Sequence, residues 1–154
     1  MIDLPQCTLG MELGSTCIKA VLIDAAHKPL AQGDFTWENR LQDGIWTYPM
    51  EEVRQGVQAA YAALAADVRA KHGTALSAVG CLGVSAMMHG YLAFDENWNL
   101  LVPFRTWRNT MTAAAAAELT AAFGFNIPQR WSVAHLYQAM LNREPHLERS
   151  EERR

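Results

Sequence analysis

Thr8 to Leu13 is short and half apolar, and Cys17 to Asp24 is rich in Val, Ile and Leu. Between them lie the turn formers Gly14-Ser15-Thr16, so the spacing predicts strand, tight turn, strand: a β-hairpin. A second turn at Ala25-Ala26-His27-Lys28-Pro29 leads into a third strand over Leu30 to Thr36. The chain therefore opens as a three-strand meander. Trp37 to Tyr48 contains the breakers Asn39, Asp43 and Gly44 and reads as a loop.

A helix follows. Pro49 suits a first turn, where a missing N–H costs nothing, and Glu51 and Glu52 suit the positive end of the helix dipole. Apolar residues at Met50, Val53, Val57, Tyr61, Leu64 and Val68 mark one buried face, and Lys71-His72-Gly73 marks the stop. Val79 to Ala86 is apolar at nearly every position, the pattern of a strand covered on both faces in a central parallel sheet. Leu92 to Phe94 and Leu100 to Val102 flank Asp95-Glu96-Asn97-Trp98-Asn99 as a small hairpin. Thr112 to Phe123 is Ala-rich and stops at Gly124, as a helix would. Ser132 suits the N-cap of a last helix with Leu136, Tyr137 and Met140 on one face, ended by Pro145. Two regions result: a domain over residues 1–147, and a charged, disordered tail over 148–154. Alternating α/β order calls for another strand after the last helix, so the domain reads as incomplete, with uncovered apolar surface that favours a homo-oligomer.

Composition narrows the class. Half of the 154 residues are hydrophobic and 19% are charged, which is globular usage. A net charge of −3 provides no basic field for nucleic acid or an anionic membrane. No apolar run reaches the roughly 20 residues of a membrane span, and the N-terminus carries no secretory pattern. Cys7, Cys17 and Cys81 are odd in number and widely spaced, which reads as reduced thiols in a cytoplasmic protein. His27, His72, His135 and His146 lack metal-ligand spacing.

Three segments carry candidate chemistry. In Leu9-Gly10-Met11-Glu12-Leu13-Gly14-Ser15-Thr16-Cys17-Ile18-Lys19, Gly14 supplies a positive φ and a close backbone approach. The amides of Gly14, Ser15 and Thr16 form an anion nest, and Lys19 adds charge. Taken alone, this motif is better read as an ordinary hairpin turn. In Gly83-Val84-Ser85-Ala86-Met87-Met88-His89-Gly90, His89 is either a polar ligand contact or a satisfied core histidine. In Pro103-Phe104-Arg105-Thr106-Trp107-Arg108-Asn109-Thr110, Trp107 is a flat apolar platform for a ligand or a core aromatic.

These segments, in this order, resemble the FGGY carbohydrate kinases: the first their phosphate loop, the second the GxSGQMHG stretch of xylulokinases, the third their PxxxWxD region. The resemblance runs from about residue 8 to about 147, with Asn126-Ile127-Pro128 and Trp131-Ser132 similar to the helix region that follows. It implies an α/β, ribonuclease H-like domain of the actin/hexokinase superfamily: a mixed sheet opening with an antiparallel three-strand meander, with flanking helices.

It also implies roles. Gly14, Ser15, Thr16 and Lys19 would bind the phosphates of ATP, and Met88, His89, Trp107, Arg108 and Asn109 would bind the sugar. Glu12 would stand beside Mg²⁺, where the family usually has Asp. Arg108-Asn109 departs further, standing where the family often has Asn-Asp or Gln-Asp. Trp37, Trp46, Trp98 and Trp131 read as packing residues, with Trp46 a candidate for a cleft lip. The implied activity is transfer of the γ-phosphoryl of ATP to a sugar hydroxyl. No catalytic residue is assigned: in relatives the base is an Asp beyond the position matching residue 154, so the chain alone is expected to be inactive. The phosphate and sugar patches are expected to share one cleft. Two other readings stay open: a non-catalytic sugar-binding or regulatory module, and an actin-like ATPase activator, against which the MMHG and TWRN segments argue.

Overall fold

The computed structural model describes residues 2–150. The chain forms two compact units, one from residues up to Asn39 together with Met50–Met87, the other from Arg40–Pro49 together with residues from Met88 onward.

The first unit is a mixed sheet with one long helix. β1 (Thr8–Leu13), β2 (Cys17–Ile23) and β3 (Pro29–Thr36) form the expected antiparallel meander, with Leu13 opposite Ile18 and Ile18 opposite Phe35. The helix here called α1 spans Met50–His72. The strand after it, Cys81–Ala86, pairs parallel with β1 and gives the order third, second, first, last. This is the mixed sheet, opening with an antiparallel three-strand meander, that the resemblance implied.

Alternation along β2 puts Ile18, Ala20 and Leu22 on one face, where all three are fully buried. α1 covers that face through Gly56, Ala60, Leu64 and Val68. The approach is close because the contact is small: a Cβ on Gly33 of β3 would sit 2.2 Å from the Leu64 nitrogen and 2.5 Å from the Ala60 oxygen. The expected helical face is therefore right at Leu64 and Val68 but wrong at Tyr61. Tyr61 is 43% exposed, its hydroxyl donating to the Leu76 carbonyl. Glycine and alanine, which apolar periodicity undercounts, carry the centre of the interface.

The strand Cys81–Ala86 corrects a larger expectation. It was read as covered on both faces, yet all six residues are exposed, Leu82 at 60% and Val84 at 65%. It lies at the sheet edge, and among the described residues of its unit no element covers either face, since α1 packs on β2 and β3.

The second unit holds a short hairpin that the sequence reading took for loop. Arg40–Gln42 (β4) pairs with Ile45–Thr47 (β5), and Asp43 and Gly44 both adopt positive φ between them. Asp-Gly at a two-residue turn is the matching signal. The small hairpin expected around Asp95 is reduced to isolated bridges, Phe94 with Leu100 and Tyr91 with Arg105. With β4 and β5 counted, the Cys81–Ala86 strand is β6.

α2 (Ala113–Phe123) ends at Gly124 in the left-handed conformation, as expected. α3 (Ser132–Leu141) corrects two readings. Ser132 is not the cap: Trp131 is, and the Ser132 hydroxyl donates to the Gly90 carbonyl. Leu136 and Met140 lie on the open side of α3, while Ala134, His135 and Ala139 are buried. Ala116, Ile127 and Ala134 form a small core with Leu119 and Trp131 against it. A 3-10 turn spans Pro145–Glu148, so the tail expected from 148 begins in ordered structure. Arg149 reaches Asp95 at 3.5 Å, and residues 151–154 of that tail lie outside the described residues.

Candidate functional site

The turn between β1 and β2 is built by three restraints. The Gly14 N–H donates to the Cys17 carbonyl (3.0 Å), the Trp37 indole N–H donates to the Gly14 carbonyl (2.8 Å), and the Trp37 amide donates to the Thr16 carbonyl (3.1 Å). Trp37, read from sequence as packing, is buried and pins the turn from both sides. The positive φ expected at Gly14 is not found. Glycine is needed there for space, because a Cβ would meet the Cys17 carbonyl oxygen at 2.9 Å. The Gly14 amide is also engaged within the turn, whereas Ser15 and Thr16 are exposed.

Glu12 and Lys19 flank this turn as direct cross-strand partners, Glu12 also facing Ser85 and Lys19 facing Asp34. Opposite charges at facing positions stabilise a sheet modestly and hold both side chains on one face. They line an open trough of about 400 Å³ with Gly10, Val21, Gly83 and Ser85. Gly10 and Gly83 face each other across β1 and β6, and a Cβ on either would meet nothing within 4 Å. Among the described residues no three His, Cys, Asp or Glu side chains converge as a metal cage. Mg²⁺ often takes one or two carboxylates and completes its shell with ligand oxygens and water, so the single exposed carboxylate of Glu12 is compatible with such an ion but does not by itself form a site.

Met88, His89, Trp107, Arg108 and Asn109 all belong to the second unit. Met88 is 73% exposed. His89 has φ 71°, an uncommon conformation for a non-glycine residue, and its ring stacks on Trp131 with centroids 5.9 Å apart. Gly90 follows with φ 117°, and a Cβ there would meet the Arg105 oxygen at 2.9 Å. The Tyr91–Arg105 bridge thus holds the chain just after His89-Gly90 beside Arg105, two residues before Trp107.

Asn109 is buried and fully occupied. Its Oδ1 accepts from the Trp46 N–H (2.9 Å), and its Nδ2 donates to the carbonyls of Trp46 (2.7 Å) and Thr106 (2.9 Å). The Thr106 amide and hydroxyl also donate to the Trp46 carbonyl, at 3.1 and 3.0 Å. Trp46, fixed in this way, carries the Arg108 guanidinium over its ring at 3.6 Å. Trp107 is 43% exposed. Sequence reasoning missed these bracing roles of Trp37, Trp46 and Trp131 because their partners are distant in the chain. The Asp-Gly turn was the one local signal pointing to Trp46.

Asn109 also explains its own identity. An Asp there cannot donate, so Asn109→Asp would lose both side-chain donations and set a buried carboxylate against the Trp46 and Thr106 carbonyl oxygens, which keep their bonds from the Thr106 amide and hydroxyl and from the Asn109 amide. That variant should lose about 2–3 kcal/mol of stability, the scale of losing buried hydrogen bonds and burying an unpaired charge. Urea denaturation followed by Trp fluorescence measures it, and an unchanged midpoint would show that Asn109 is not a brace.

The model of the FGGY family of carbohydrate kinases, N-terminal domain, matches residues 7–131. The chain belongs to the FGGY family of carbohydrate kinases. Among solved structures, this FGGY domain is similar to a xyloylose kinase from Brucella ovis, with TM-score 0.81 and 26% identity over 94% of this chain and 31% of that one. A ligand-bound xylulose kinase from Lactobacillus acidophilus matches with TM-score 0.74 and 16% identity, over 95% of this chain and 30% of that one. A Plasmodium falciparum glycerol kinase with ADP matches with TM-score 0.73 and 13% identity, over 92% and 30%. The last two show the fold alone. The FGGY domain therefore spans less than a third of these relatives' length. No curated protein matches it. No described helix is long and apolar enough to cross a membrane.

Proposed function

We propose that the FGGY domain provides the phosphate and sugar contacts of a cytoplasmic, ATP-dependent kinase that phosphorylates a sugar hydroxyl with Mg²⁺. The observation that carries this reading is the turn braced by Trp37, which presents Ser15 and Thr16 between the flanking charges of Glu12 and Lys19. Phosphoryl transfer depends on positioning and on neutralising charge over the phosphate oxygens. The Ser15 and Thr16 groups donate hydrogen bonds to those oxygens, and Lys19 adds positive charge. Glu12 faces the metal ion, which supplies further charge neutralisation when it accompanies the nucleotide.

On the sugar side, Met88 and His89 line the site, Trp107 offers its apolar face to the ring, and Asn109 positions its neighbours through Trp46. Residues 1–154 on this reading bind ligands without turning them over, since the family resemblance implies a general base beyond the position matching residue 154. A coupled ATPase assay across ketoses, polyols and sugar acids tests the proposal. Turnover is expected from the full-length protein and none from the 154-residue chain. Sugar binding with no nucleotide hydrolysis by the full-length protein would instead favour the non-catalytic module.

A further inference from the structure

The segment that carries Trp107 continues with a cation, Arg108, and a neutral amide, Asn109. The structure adds what the sequence lacks. Arg108 lies over the Trp46 ring with its guanidinium carbon 3.6 Å from the centroid, so one flat face is taken up by the indole. The N–H donors of a guanidinium lie in its plane and point outward from the edge, so stacking leaves them available. Arg108 is exposed, and none of the ion pairs among the described residues involves it.

The platform beneath it is rigid. Four hydrogen bonds from Asn109 and Thr106 fix the Trp46 backbone, which removes much of the entropy cost of ordering a long side chain at the moment of binding. A planar cation fixed by one face, with its edge free and no acid beside it, suits a planar anion bound bidentately.

We propose that Arg108 makes the sugar side of this domain selective for a carboxylate-bearing sugar over a neutral one. The inference rests on the sugar-binding reading of Trp107 and His89. A phosphate group shares the anionic chemistry, so the test must separate the two.

Isothermal titration of the 154-residue chain with D-gluconate, D-xylulose and inorganic phosphate does so. D-gluconate should bind at least about tenfold more tightly than either of the others. In Arg108→Gln the D-gluconate affinity should fall to that of D-xylulose. In Arg108→Lys, which keeps the charge but loses the fork, the preference should fall to an intermediate value. Circular dichroism of both variants, matching the parent, shows that the fold is intact; if Arg108→Gln unfolds, the Arg108→Lys titration carries the test.

Equal binding of D-xylulose and D-gluconate by the parent would overturn the inference while leaving the sugar reading in place. Binding of neither sugar would overturn both. Phosphate bound as tightly as D-gluconate, with both lost in Arg108→Gln, would make Arg108 a phosphate contact and overturn the carboxylate assignment.

Discussion

Gly33→Ala should destabilise the domain by about 3 kcal/mol, the upper end of what overpacking usually costs. The added methyl has nowhere to go. It would fall 2.2 Å from the Leu64 nitrogen, 2.5 Å from the Ala60 oxygen and 2.7 Å from the Ala63 carbonyl carbon, all backbone atoms of α1. A side chain can rotate away from such a contact, but a helix backbone in the middle of a 23-residue element cannot. Relief requires α1 to lift off β2 and β3, which would uncover Ile18, Leu22, Leu64 and Val68, all buried now.

Gly10→Ala is the matched control. A Cβ there meets nothing within 4 Å, and replacing a strand glycine reduces the freedom of the unfolded chain, so that variant should be neutral or slightly more stable. Urea midpoints of the two variants decide it. Equal midpoints would mean that α1 does not seat on Gly33.

Glu144→Ala should cost about 3 kcal/mol, the lower end for removing one partner of a buried ion pair, because Arg105 is buried and Glu144 only partly so. Arg105 is nearly buried, and its Nη1 donates to Glu144 Oε1 at 3.2 Å while Nη2 donates to Oε2. Burial raises the Glu144 pKa, but the hydrogen bonds and charge of Arg105 outweigh it and hold the carboxyl below its ordinary value. The pair anchors more than itself. The Arg105 guanidinium sits 5.4 Å from the Tyr91 ring centroid, the Tyr91 hydroxyl shares a 2.8 Å hydrogen bond with His146 Nε2, and His146 Nδ1 lies 3.4 Å from Glu144.

Replacing both partners, Arg105→Met with Glu144→Leu, should recover most of the loss, because no charge is then stranded. If the double variant is as unstable as Glu144→Ala, the loss is one of packing and the ion-pair account fails.

The same cluster sets the acid response. His135 is fully buried beside Tyr91, and burial, helped by Arg105, lowers its pKa from 6.5 to about 4. Burial lowers His146 as well. A histidine held neutral by folding binds its proton more readily when unfolded. Its favourable contribution is complete above about pH 6.5 and is lost as the pH falls towards 4. His135→Leu should therefore flatten the acid limb of a stability curve.

The hairpin of β1 and β2 was legible because turn formers separate two apolar runs, and α2 was legible from its alanines and its stop at Gly124. What misled was burial. An apolar run such as Val79–Ala86 reports what a strand can bury, not what covers it, and β6 lies uncovered at the edge. The α1 face was right at Leu64 and Val68 but wrong at Tyr61, because Gly56 and Gly33 carry part of the contact without hydrophobic side chains to announce it.

The candidate site divided in the same way. Order and spacing of three motifs pointed to the family, which the match over residues 7–131 shows. The braces were invisible: Trp37 reaches back to Gly14, Asn109 to Trp46, and Trp131 to His89, contacts between segments far apart in the chain. Nothing local distinguishes a tryptophan that fixes a turn from one that fills a core.

Backbone amide NMR of the ¹⁵N-labelled chain, titrated with Mg-ATP, puts the phosphate turn to the most direct test. The largest shifts should fall on Ser15 and Thr16, with Lys19 following. Shifts concentrated elsewhere, with residues 14–16 unmoved at saturation, would contradict phosphate binding at this turn and the kinase reading built on it.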